Sequence, residues 1–137
     1  VLDFGSGTGI LSILASKLGT ASILAIDNDS WAFENAKENL ELNHVTNTEA
    51  VLGDSADFVG RTFDIILANI NREVLLKSMN QFSQVIASNG LLIMSGFLED
   101  DGQKILGASA NVGFQIKNEI AESGWKAIAF CKLSNPK

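Results

Sequence analysis

Three apolar residues and a carboxylate run straight into glycines at alternate positions, Val1-Leu2-Asp3-Phe4-Gly5-Ser6-Gly7-Thr8-Gly9, and few folds accept that order. Behind the glycines, Ile10, Leu11, Ile13, Leu14 and Leu18 recur at helical spacing, so the stretch reads as strand, tight loop and helix. This is the opening of a ligand-binding βαβ unit. Glycines let the backbone take positive φ and come close to a ligand, and the first turn of the helix offers unpaired N–H groups suited to an anionic group such as a carboxylate. Tight packing alone seldom needs three alternate glycines. The spacing also departs from the dinucleotide fingerprint, which counted from Gly5 puts its third glycine at the place of Ile10; here it falls one residue early, at Gly9.

A second apolar run, Ser22 to Ile26, ends in Asp27, which lies 22 positions after Gly5. In doubly wound folds an acid at that place bonds the two ribose hydroxyls of an adenosine ligand. Asn28 and Asp29 follow it and are candidates to touch the adenine, while Asp29 is equally suited to cap the next helix. Asp3 is expected to brace the glycine loop or to meet the amino group of a ligand.

The remaining chain continues the alternation of strand and helix. Ser30 to Leu42 reads as an amphipathic helix, with Ala32, Ala36 and Leu40 on one side and Glu34, Lys37, Glu38 and Glu41 on the other. Trp31, in its first turn, is expected to pack in the core, and His44 to be a solvated loop residue. Thr48 to Gly53 forms a third strand, and Asp54 after it either accepts a hydrogen bond from the adenine amine, with Ser55 or Ala56 donating from the backbone, or caps the segment that follows.

Phe63 to Ala68 is nearly continuous apolar sequence, as in a parallel strand covered on both faces. It delivers Asn69-Ile70-Asn71 to the carboxyl edge of the sheet, where open α/β folds hold ligands. Asn69 is the candidate for the site, and Asn71 the better-placed cap for the run Val74, Leu75, Met79, Phe82, Ile86. Arg72 either meets substrate or is solvated. Gly90 turns the chain into a strand from Leu91 to Gly96, Glu99 to Val112 is a helix weakened by Gly102 and Gly107, and Phe114 to Glu122 and Trp125 to Leu133 form a hairpin through Ser123-Gly124. Cys131 is expected to be a small core residue.

Composition narrows the classes of function. The 137 residues, 46% of them hydrophobic, suffice for one domain, 1–137, with a sizeable core. A net charge of −6 with 10 Lys plus Arg and no basic cluster argues against direct nucleic-acid binding. One cysteine excludes an internal disulfide, and no apolar run is long enough to span a bilayer, so a monomer in a reducing cytoplasm is expected. No metal site is expected.

Asp3-Phe4-Gly5-Ser6-Gly7-Thr8-Gly9 followed by Ala25-Ile26-Asp27 resembles the first motif and acidic loop of class I S-adenosylmethionine-dependent methyltransferases. Ile66-Leu67-Ala68-Asn69-Ile70 and Met94-Ser95-Gly96-Phe97-Leu98 resemble one branch, the PrmA-type lysine methyltransferases of large-subunit ribosomal protein eleven, and the likeness covers essentially the whole chain. The resemblance implies a Rossmann-like, doubly wound α/β fold with a mostly parallel seven-stranded sheet and an antiparallel last strand, which the terminal hairpin fits. It implies S-adenosyl-L-methionine as cofactor, held by Asp3, Gly5, Gly7, Gly9, Asp27, Asn28, Asp54 and Asn69, with Asn69 also the catalytic residue. It further implies a lysine-rich ribosomal protein as substrate, and a longer parent with an amino-terminal substrate-recognition domain and a cofactor-binding linker. Relatives that methylate planar nitrogens carry an aromatic residue close after the matching asparagine. Here Asn69-Ile70-Asn71-Arg72 stands there, and the chain has no tyrosine. A small-molecule acceptor, or an NAD-type module without catalysis, are the alternatives.

Overall fold

Leu2–Phe4 and Ile23–Asp27 form parallel strands β1 and β2; β2 is apolar up to Asp27, as suits a strand covered on both faces, and β1 is buried throughout, its Asp3 included. The computed structural model describes residues 1–133, which fall into two compact units, Val1–Phe58 and Val59–Lys137. In the first unit β1 leads into helix α1 (Ile10–Lys17), β2 into helix α2 (Ser30–Leu42), and strand β3 (Thr48–Leu52) into a short 3-10 turn at Ser55–Phe58. All three strands are parallel in the order β3-β2-β1, and β2 aligns Asp27 with Leu52 of β3. Phe58 closes the unit from below, fully buried and edge-on to Phe4 with ring centroids 5.5 Å apart.

The second unit holds β4 (Phe63–Asn69), α3 (Arg72–Val85), β5 (Ile86–Leu98), α4 (Gly102–Asn111), β6 (Phe114–Glu122) and β7 (Trp125–Lys132). Its strands lie in the order β4-β5-β7-β6: β4 and β5 are parallel, and β7 runs antiparallel to both neighbours. The seven strands and their flanking helices thus have the mixed α/β arrangement expected, with the antiparallel last strand. A two-residue turn makes the reversal possible, because Ser123 and Gly124 take φ of 53° and 83°. Helix α3 presents Leu75, Met79 and Phe82 of the expected run to the core, with Val85 beside them, while Val74 is exposed and Ile86 already begins β5. Helix α4 is shorter than expected. It starts at Gly102 after a 3-10 turn at Glu99–Asp101, and it ends where the Ser83 hydroxyl and the Lys132 ammonium both donate to the Val112 carbonyl, each at 2.7 Å. Burial pushes the Lys132 ammonium below its ordinary pKa.

Three side chains sit differently from expectation. Trp31 is not a core residue: it is 84% exposed, because the cap of α2 by Asp29 fixes the first turn with the indole outward. Arg72, expected to meet substrate or be solvated, is partly exposed and paired within the chain, its Nη1 donating to the Asp101 carboxylate at 2.7 Å. Cys131 is half-buried in β7. Helix α1 also turns its most regular apolar row, Ile10, Leu14 and Leu18, outward and buries Ser12 instead. Among the described residues, no helix is long and apolar enough to cross a membrane.

Candidate active site

The glycine loop owes its shape to backbone geometry. Gly5, Gly7 and Gly9 have φ of 76°, 55° and 84°, in the left-handed region that side chains with a Cβ rarely enter. A Cβ on Gly9 would lie in ordinary van der Waals contact with Ala36 of α2, 3.4 Å away, and one on Gly7 would meet nothing within 4 Å. The positive φ, not crowding, therefore calls for glycine at both positions, and Gly7 leaves open space above the loop. The amides of Gly5 and Ser6 both donate to the Ile26 carbonyl, at 2.8 and 3.0 Å, locking the loop to the end of β2. From α2, Asn39 Nδ2 donates to the Thr8 carbonyl at 2.8 Å, a brace the sequence did not single out.

Asp27 stands at the carboxyl end of β2, and its two oxygens accept one backbone N–H each, from Gly7 at 2.9 Å and from Asp29 at 3.0 Å. A carboxylate offers about four lone-pair directions, so one on each oxygen remains available. Being half-buried, the group is accessible to a ligand that presents two hydroxyls. A ribose diol over an open, glycine-lined loop fits these residues. Asn28, next along the chain, is exposed.

Asp3 is buried at the heart of the same region and accepts from the Ser12 hydroxyl at 2.7 Å. Burial raises its pKa above the ordinary 3.8, opposed by the side-chain and backbone hydrogen bonds from Ser12 and reinforced by the nearby Asp27 charge. Its geometry is that of a brace between β1 and the first turn of α1. Ser12 was missed in the sequence, although a hydroxyl inside the run Ile10-Leu11-Ser12-Ile13-Leu14 is the kind of signal that marks a buried partner. Asp54 caps the 3-10 turn: its Oδ1 accepts from the Ala56 amide at 2.9 Å, which engages the backbone donor expected for adenine.

In the second unit, Asn69 ends β4 and is exposed. Asn71, two residues on, caps α3 by accepting from the Val74 amide at 3.0 Å, as its position in the sequence suggested. Next to Asn69 the β5–β7 ladder is broken: regular pairing stops at Met94↔Ile128 and resumes at Phe97↔Lys126, leaving Ser95 and Gly96 as a bulge. Gly96 has φ of 85°, and a Cβ there would come within 2.6 Å of Asn69 Oδ1 and 3.2 Å of the Ile70 carbonyl. Only glycine allows this approach. Around the bulge opens a cavity of about 740 Å³, bounded by Asn69, Ser95 and Gly96 and by Ile120, Glu122 and Trp125 of the hairpin. The sequence pointed to the Asn69 end of this cavity but not to the hairpin wall.

Parallel strands that deliver a glycine loop, an acid and an asparagine at their carboxyl ends, followed by an antiparallel last strand, define a Rossmann-like methyltransferase fold. A solved ribosomal protein L11 methylase from Lactobacillus delbrueckii subsp. bulgaricus superposes with a TM-score of 0.92 at 34% identity, covering 97% of this chain and 69% of that one. A precorrin-6y C5,15-methyltransferase from Geobacter metallireducens shares the fold at a TM-score of 0.78 and 17% identity, covering 97% of this chain and 79% of its own. Residues 1–132 match the model of the family described as ribosomal protein L11 methyltransferase (PrmA), and the chain belongs to that family. Among curated relatives, the ribosomal protein L11 methyltransferases of Bacteroides thetaiotaomicron and Porphyromonas gingivalis are 40% and 37% identical over 95% of this chain. The chain spans 47% and 45% of their lengths, a little under half.

Proposed function

We propose that this chain, as one catalytic domain, uses S-adenosyl-L-methionine to methylate amino groups, chiefly lysine side chains, of ribosomal protein L11. The observation that carries the reading is the pairing of Gly7 with Asp27, which sets an open glycine loop beside a carboxylate that keeps two acceptor directions for a nucleoside diol. Membership of a family whose named relatives are ribosomal protein L11 methyltransferases supports the choice of acceptor. The net charge of −6 supports a lysine-rich protein partner over nucleic acid, and we place the reaction in the cytoplasm, with the enzyme a monomer.

Bound S-adenosyl-L-methionine would supply a methyl group on a sulfonium, whose positive charge makes the sulfur a ready leaving group. The glycine loop and the first turn of α1 would hold the methionine end, and Asp27 the ribose, with Asn28 near the adenine. Asp54, already turned toward its own cap, contributes the wall at the end of β3. An acceptor lysine arrives as an ammonium of reference pKa about 10.4 and must release a proton to water before its lone pair can attack. Apolar cavity walls assist by penalising the charged form. Asn69 Oδ1 accepts a hydrogen bond from the amine N–H, which aims the lone pair. Holding donor and acceptor in line is worth about 7–11 kcal/mol, so no dedicated base is required.

Isothermal titration with S-adenosylhomocysteine tests the cofactor half. Asp27→Ala should weaken binding about tenfold or more through loss of the charged hydrogen-bond acceptor, and equal affinity in the variant would remove Asp27 from the ribose. Transfer of a labelled methyl group to purified ribosomal protein L11 tests the other half, and Asn69→Ala should slow it while leaving S-adenosylhomocysteine binding in place.

A further inference from the structure

Two side chains of the second unit each break a local rule, and they break it toward one another. Arg72 is the first residue of α3, where unpaired N–H groups make the helix end positive and a guanidinium is disfavoured. Asp101 is the N-cap of α4, a place where an aspartate ordinarily accepts from a backbone amide of its own helix. It makes no such bond, and its Oδ1 accepts from Arg72 Nη1 at 2.7 Å instead. A cap left unmade and a cation at the wrong helix end are offset only by the attraction between the two groups. With side chains 37% and 21% exposed, such a pair adds little stability by itself, so what it joins matters more.

The pair joins the two turns at the carboxyl edge of the parallel strands β4 and β5. The last partners in that ladder are Ala68↔Met94 and Asn69↔Ser95. Beyond them the chains diverge, with Arg72 three residues after Asn69 and Asp101 six after Ser95. The ladder on one side and the ion pair on the other therefore close a small ring of backbone that includes Asn69 and Gly96. Within it the two segments run so close that a Cβ on Gly96 would sit 2.6 Å from Asn69 Oδ1. Among the described residues that bound the cavity beside Asn69, Arg72 and Asp101 are absent, so the pair reaches the cavity only through the turn that carries Asn69.

We propose that Arg72 and Asp101 are positioning residues for the transfer step, holding the β4–α3 and β5–α4 turns together and so fixing the direction of the Asn69 amide. The assignment rests on the reading above that Asn69 aims the acceptor amine. An aspartate released from Arg72 can turn back to cap α4, and an asparagine in its place caps as well. Loss of the pair therefore shows in the direction of Asn69 and hardly in stability. A lysine at position 72 keeps the charge but not the fixed planar fork, and restores the function in part.

The test is a double-mutant cycle of Arg72→Gln, Asp101→Asn and the two combined, in the protein that carries this chain. The side-chain amide signals of Asn69, identified through Asn69→Ala, are followed by NMR with S-adenosylhomocysteine bound, and kcat and KM are measured for methyl transfer to ribosomal protein L11. Each single variant should shift the Asn69 signals and lower kcat about fivefold with KM within about twofold, the upper range for one partly exposed ion pair. The double variant should lose about fivefold as well, where independent sites would lose about 25-fold, and Arg72→Lys should recover part of the rate. Affinity for S-adenosylhomocysteine and the urea midpoint should stay near wild type, whereas a pair that served only stability would lower the midpoint and leave kcat alone. Losses that multiply in the double variant, or Asn69 signals that match wild type in every variant, would overturn the proposal. Shifted signals in a protein that transfers no methyl group would sink the catalytic reading and leave the positioning of Asn69 standing; transfer at the wild-type rate in both single variants would do the reverse.

Discussion

At the scale of the residue, Asp3 and Asp27 show how two carboxylates on neighbouring parallel strands acquire different work. Asp27 sits half-exposed at a strand end with two backbone donors and spare acceptor capacity, and Asp3 is sealed beneath the loop with Ser12. Burial raises the pKa of Asp3, so the folded state holds its proton more tightly than the unfolded chain does. Stability from that proton is complete below the ordinary value of 3.8 and is lost as pH rises through the folded-state pKa. Asp3→Asn keeps an oxygen for the Ser12 hydroxyl and removes the titration. The urea midpoint of the variant relative to wild type should therefore move in the variant's favour as pH rises above the ordinary 3.8, and a difference that stays constant with pH would show that Asp3 does not titrate with folding. That Asp27 meets the glycine loop was legible in the sequence, because its place at the end of β2 follows from its distance along the chain from the glycines. Trp31 was not, because the direction of a side chain in a first helical turn depends on where the cap sets the helix.

At the scale of the element, the bulge in β5 shapes the cavity beside Asn69. Two features meet at Gly96: a positive φ, and a backbone that must pass close to Asn69 and Ile70. Gly96→Ala should cost about 1–2 kcal/mol from the conformation alone and push the Asn69 amide out of place. Urea unfolding should show the loss, and methyl transfer should fall further than S-adenosylhomocysteine affinity; equal turnover would mean that Asn69 does not need this approach. Gly7→Ala makes a useful contrast, since a Cβ there meets nothing and only strain should appear. Periodicity identified α1, α2 and α3 as helices, and the Ser123-Gly124 pair located the hairpin turn. It did not reveal that α1 turns Ile10, Leu14 and Leu18 outward, because an apolar row reports that a helix is amphipathic and not which neighbour covers it.

At the scale of the whole molecule, the order of strands and helices accounts for the choice between two kinds of nucleotide fold. The glycine loop is one residue shorter than the dinucleotide pattern, which on the proposed reading suits a nucleoside ligand better than a pyrophosphate. NAD should therefore fail to displace S-adenosylhomocysteine in a competition titration, and effective displacement would favour an NAD-type module. The sequence by itself determined the alternation of strand and helix, the positions needing glycine and the acid at the end of β2, because those depend on local backbone sterics and on spacing along one segment. Tertiary structure decided what surrounds Asn69. Ser95, Gly96, Ile120, Glu122 and Trp125 come from separate strands, and only the antiparallel register of β7, interrupted by the bulge, brings them to one cavity. Contacts between residues distant in the chain are set by how strands pair, and pairing leaves no trace in the spacing of any single stretch.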